Sequence, residues 1–271
     1  MFQYKTKAVV GKCNYFKMKR VTNIMKIKCP LLLFLFILFL KLNSMNFVSI
    51  ETDDIEIPNF FVMTTPITQN HFEEIMGYNN SCFQGDSLPV ENVSWYEAIV
   101  FCNLLSDKHN LIPVYMLKGS KDIYTWGEIP NHRIREWIII DADPLADGYR
   151  LLSQIEWDHI YKKITEVDSF TLEDHAWIHT NSDKKTHSVS QKKVDILGLY
   201  DFLGNVKEWV FDDKSVITDE YYANQNKTKQ IFYDNLSFDI FRRSDFIETK
   251  DIYGFIRVAK SPLIGFRIAR N

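Results

Sequence analysis

Three stretches of the chain place apolar residues at a helical period, and each begins with a residue suited to start a helix. In "TPITQNHFEEIMG", Thr68 can accept from first-turn amides, Phe72, Ile75 and Met76 recur on one side, and Gly77 supplies the stop. In "VSWYEAIVFCNLLSDK", Ser94 and Glu97 have the spacing of a capping box, and Ala98, Cys102 and Leu105 fall on one face. "YRLLSQIEWDHIYKKI" repeats the device with Ser153 and Glu156, ahead of Trp157, Ile160 and Tyr161. Elsewhere the pattern breaks into short β-like pieces such as "REWIIID" and "GFRIAR", joined by long polar connections. No fixed-period repeat interrupts 51–271, so many loops and few long elements predict one irregular α+β domain over 50–271.

Charge changes the picture at the front. Residues 1–50 hold nine Lys or Arg and no acid, which leaves 23 basic and 35 acidic residues behind them. A basic arm can bind nucleic acid, but this one leads into "LLLFLFILFL" at 31–40, closed by Lys41, which is the order of a targeting segment. The run is about half of the ~20 residues a membrane-spanning helix needs, so 1–45 reads as a basic extension with a signal peptide cut near Asn43-Ser44. An uncleaved anchor over 30–41 is the alternative. Met25 is a natural start for the signal, and Cys29 lies ahead of the apolar run, where a lipoprotein cysteine would follow it. Export is therefore expected, with membrane contact only through an uncleaved N-terminal segment and no nucleic-acid partner.

Removal of the signal takes Cys13 and Cys29 with it and leaves Cys82 and Cys102. These could form one disulfide, but the helical spacing of Cys102 with Ala98 and Leu105 favours two separate thiols.

The candidate chemistry centres on "GLYDFLGNVKEWVFDD", 198–213. A glycine bend lets carboxylates and carbonyls of one short segment converge on a hard cation, and calcium wants six to eight oxygens at about 2.3–2.6 Å. Equally, Gly204-Asn205 can make a turn, with Trp209 in the core and Glu208 in a salt bridge. "HAWIH" sets His175 and His179 at i,i+4, a metal-binding spacing on a helix, with His187 following. No acidic third ligand accompanies them, and the surrounding sequence reads as a polar loop with surface histidines.

The order of signatures carries more than any one of them. "FFVMTTPITQNHFEEIMGYN", "LPVENVSWYEAIVFCNLLS", "GYRLLSQIEWDHIY", "LGLYDFLGNVKEWVFD" and the terminal "GFRIAR" resemble the successive motifs of the formylglycine-generating enzyme family, the sulfatase-modifying factor domains, from residue 57 to residue 270. The resemblance implies a C-type-lectin-like α+β fold of low regular content, often exported and often holding calcium. It maps a calcium site onto the side chains of Asp201 and Glu208 and the carbonyls of Gly204 and Val206. Lys207 stands where the family usually has an aromatic residue.

Enzymes of the family oxidise a substrate cysteine to formylglycine with O₂, using Cu(I) held by two C-terminal cysteines, and soft thiolates suit that ion. Read back from "GFRIAR", those positions fall on Glu248 and Tyr253, with Arg243-Ser244 in place of a glycine pair, and no cysteine follows Cys102. Copper is therefore not expected, and no catalytic residue is assigned. The family's iron-dependent branch takes ligands from an extra helical domain for which this chain has no room.

The expectation is an exported, non-catalytic, calcium-stabilised binding or structural module, presenting loops to a protein, peptide or glycan. Trp126, Trp137 and Trp177 either line such a surface or belong to the core. The rival expectation is a formylglycine-generating oxidase acting on sulfatases.

Overall fold

The computed structural model describes residues 45–132, 134–137, 139–211 and 257–271. The apolar run at 31–40, Cys13, Cys29, Arg243, Ser244, Glu248 and Tyr253 lie outside the described residues.

The segment after the basic arm enters a four-stranded antiparallel sheet built from distant parts of the chain. Strands β1 (Phe47–Ile50), β2 (Phe60–Met63), β8 (Ile268–Arg270) and β5 (Arg150–Leu151) are adjacent in that order. Val62 sits opposite Ala269, and Ala269 opposite Arg150, so "GFRIAR" forms an interior strand of this sheet. Alternation follows the pleat: Phe60 and Val62 are buried, whereas Phe61 faces outward beneath the Arg270 guanidinium. Two smaller pairs complete the strands, β3 (Tyr115–Leu117) with antiparallel β4 (Ile140–Ala142), and β6 (Lys207–Glu208) with parallel β7 (Ile264–Gly265).

Helices begin where the side-chain chemistry places them. α1 (Gln69–Met76) starts at Thr68, whose hydroxyl accepts from the His71 amide, and ends at Gly77 in the left-handed conformation with φ +78°. α2 (Trp95–Lys108) and α3 (Gln154–Thr165) both carry complete capping boxes, at Ser94/Glu97 and Ser153/Glu156. Replacing Ser153 with alanine is expected to cost about 1 kcal/mol in urea denaturation, since only one first-turn amide loses its partner. α4 (Leu172–His175) is a single turn.

Two apolar clusters share the sheet, Val62 and Ala269 belonging to one and Met63, Leu151 and Ile268 to the other. One surrounds α2, where Phe72, Phe101 and Phe266 stack edge and face; the other joins α3 to β2 through Trp157, Phe202 and Val62. Short helices and strands, held by long packed loops, make an α+β fold of low regular content.

Trp126 and Trp137 belong to the core: their rings meet edge to face, and Trp137 in turn contacts Tyr96. Trp177 is half-buried, stacked on His187 with the Lys192 ammonium 4.3 Å from its ring. "REWIIID" splits into a 3-10 turn (Arg135–Trp137) and β4, because Trp137 turns inward to Tyr96 and interrupts the alternation. Tyr161 lies outside the core, stacked over Trp157. Cys82 is exposed and Cys102 is buried, and both are free thiols. Among the described residues, no helix is long and apolar enough to cross a membrane.

Candidate functional site in the 199–210 loop

The glycine, asparagine and aspartate of this loop are set by what crosses it. Asp201 and Asn205 have positive φ, 53° and 67°, which short polar side chains tolerate. Gly204 is required by close approach: a Cβ there would lie 2.4 Å from the Trp177 carbonyl oxygen, far inside contact distance. The Asn205 amide donates to that same carbonyl at 2.9 Å, and its side chain exchanges two hydrogen bonds with the His187 backbone. The Ser190 amide donates to Asp201 Oδ2 at 2.7 Å. Thus the 177–190 segment is tied onto the loop through Asp201 and Asn205.

After the bend, Lys207 and Glu208 run as β6 beside β7, and the Trp209 amide donates to the Gly265 carbonyl at 3.0 Å. Trp209 is core, its indole N–H donating to the Val93 carbonyl. Glu208 points to the buried Arg267, whose Nε donates to Oε1 at 2.9 Å and to Oε2 at 3.0 Å. The guanidinium also donates to the carbonyls of Met63, Thr64 and Tyr200 and lies over the Phe202 ring. One arginine therefore joins β2, the 199–210 loop and the segment before β8. The sequence reading of "GFRIAR" as a strand missed this role, although a lone arginine in an apolar run signals a buried acid as its partner.

Burial pushes Asp201 up to about 6, opposed by the Ser190 amide and Arg267. Burial likewise pushes Glu208 up to about 7, opposed by Arg267 and reinforced by the Asp201 charge, so the two carboxyl groups feel one another. Asp201 Oδ1 is buried without a hydrogen-bond partner, as are Ser182 Oγ, Thr186 Oγ1 and Trp177 Nε1 in the adjoining segment. A buried, unpartnered carboxylate oxygen is the kind of group a hard cation takes up. The Gly204 carbonyl accepts from the Val206 amide at 2.8 Å and keeps a second lone pair. Each Glu208 oxygen also keeps a lone pair beyond its bond to Arg267. Asp201 Oδ1 and the Gly204 carbonyl thus keep acceptor capacity a cation could use, while Glu208 is engaged by Arg267, and no cluster of three or more His, Cys, Asp or Glu side chains occurs among the described residues.

The two histidines of "HAWIH" do not share a helical face. α4 ends at His175, so His175 and His179 share no helix; His175 Nδ1 meets the Lys193 carbonyl, and His187 Nε2 the Ser182 carbonyl. Glu97, read in the sequence only as half of a capping box, also accepts from the Tyr78 hydroxyl at 2.8 Å and the Lys260 ammonium at 2.7 Å. Through it, α2 grips the returning chain at 257–261, where Arg257 lies over the Trp95 ring.

Comparison with known proteins agrees with this architecture. The chain is 31% identical over 188 residues to "Chaperone protein LppX" of Paenibacillus barcinonensis, a match covering 60% of this chain and 66% of that relative, just under two thirds of its length. Treponema denticola variable protein 1 superposes with a TM-score of 0.57 at 25% identity, over 84% of this chain and 92% of that one. CarF shares the fold with a TM-score of 0.52 at 22% identity, over 84% and 94% of the two chains. Residues 44–271 match the family described as the sulfatase-modifying factor enzyme 1-like domain, and the chain belongs to that family.

Proposed function

We propose that this chain is an exported, non-catalytic member of its family that acts as a binding module for a protein or peptide partner on a calcium-stabilised scaffold. The observation that carries the non-catalytic reading is the thiol inventory. Cys102 is the last cysteine of the sequence and is buried in α2, while Cys82 is exposed on another loop. Burial pushes the Cys102 thiol well above its ordinary range, so it is a poor thiolate ligand for a soft ion. A protein or peptide partner, rather than a glycan, is supported by the likeness to a relative described as a chaperone. The basic, apolar N-terminal segment supports export, with an anchor over 30–41 as the variant form.

The test is incubation of the purified protein with copper, O₂ and a Cys-x-Pro-x-Arg peptide of the sulfatase type. No formylglycine aldehyde is expected in the peptide above the level that copper and O₂ give without the protein; its appearance would establish the oxidase instead.

In this reading calcium is held by Asp201 and Glu208 with the carbonyls of Gly204 and Val206, and its charge offsets the cost of burying two carboxylates. Elemental analysis is expected to give about one calcium per chain. Its effect on stability depends on pH with a definite sign. The folded-state pKa of Asp201 is raised to about 6 from 3.8, so in metal-free protein its contribution to stability is present below about pH 4 and lost as pH rises through 6. Calcium competes with that proton. The gain in melting temperature on adding calcium should therefore be larger above about pH 7 than below about pH 5. A gain independent of pH would remove Asp201 from the ligand set.

A further inference from the structure

We draw no further inference here: the strongest candidate, the cluster of buried polar atoms of Trp177, Ser182 and Thr186 that lack hydrogen-bond partners in the segment tied onto the 199–210 loop, belongs to the site already described.

Discussion

Arg267→Ala is expected to cost about 3–5 kcal/mol of folding stability, the range seen when one member of a buried ion pair is removed. The size follows from what the guanidinium holds. Its loss leaves Glu208 charged or protonated in an interior site with no donor, and it strips the carbonyls of Met63, Thr64 and Tyr200 of their bonds to Arg267. Since a domain has only about 5–15 kcal/mol in hand, the variant should unfold at a much lower urea concentration. A second variant separates charge from cross-linking. In Arg267→Met with Glu208→Leu neither member of the ion pair remains, and a pair that mattered only through electrostatics would recover most of the loss. Partial recovery is expected instead, because the carbonyls of Met63 and Tyr200 still lack the arginine's bonds, whereas Thr64 keeps the Tyr200 amide at 2.8 Å. A single-variant cost below about 1 kcal/mol would mean that the pair does not carry the junction between β2, the 199–210 loop and β8.

Trp209→Ala should cost a comparable amount, about 3–5 kcal/mol, through loss of a large side chain that is 1% exposed. Trp209 is part of the cluster around α2, and its indole N–H is bonded to the Val93 carbonyl at the entry to that helix. Trp209→Phe keeps most of the volume and loses the hydrogen bond, so its cost should be the smaller one, about 1–3 kcal/mol. If phenylalanine costs as much as alanine, the bond to Val93 rather than packing fixes the loop against α2. Urea midpoints with unchanged slope would show that both variants act on stability and not on the compactness of the unfolded chain.

Helix starts were legible in the sequence for a local reason. A capping serine and a glutamate three residues on satisfy one another's backbone amides within a single turn, so Ser94/Glu97 and Ser153/Glu156 needed no distant partner to act. Gly77 was legible on the same ground, as a left-handed residue after a short apolar-periodic run. The order of five motifs carried the family, and with it the α+β fold.

Strands were less legible, because β5, β6 and β7 are two residues long and exist through partners far away in the chain. No alternation can be read from two positions. The tryptophans show the same limit: Trp126 and Trp137 lie in polar connections, and their burial comes from contact with one another and with Tyr96 of α2.

In the candidate site, the sequence determined the residue types: an aspartate, a glycine, an asparagine and a glutamate at spacings that permit a turn or a cation site. Tertiary structure decided what they do. Gly204 is demanded by the Trp177 carbonyl passing 2.4 Å from its missing Cβ, and Glu208 is claimed by an arginine 59 residues away in the chain. Local hydrogen bonds and φ preferences are written in neighbouring residues and can be read there. Close approach and charge pairing depend on which segments the fold brings together, and only the packed chain supplies that.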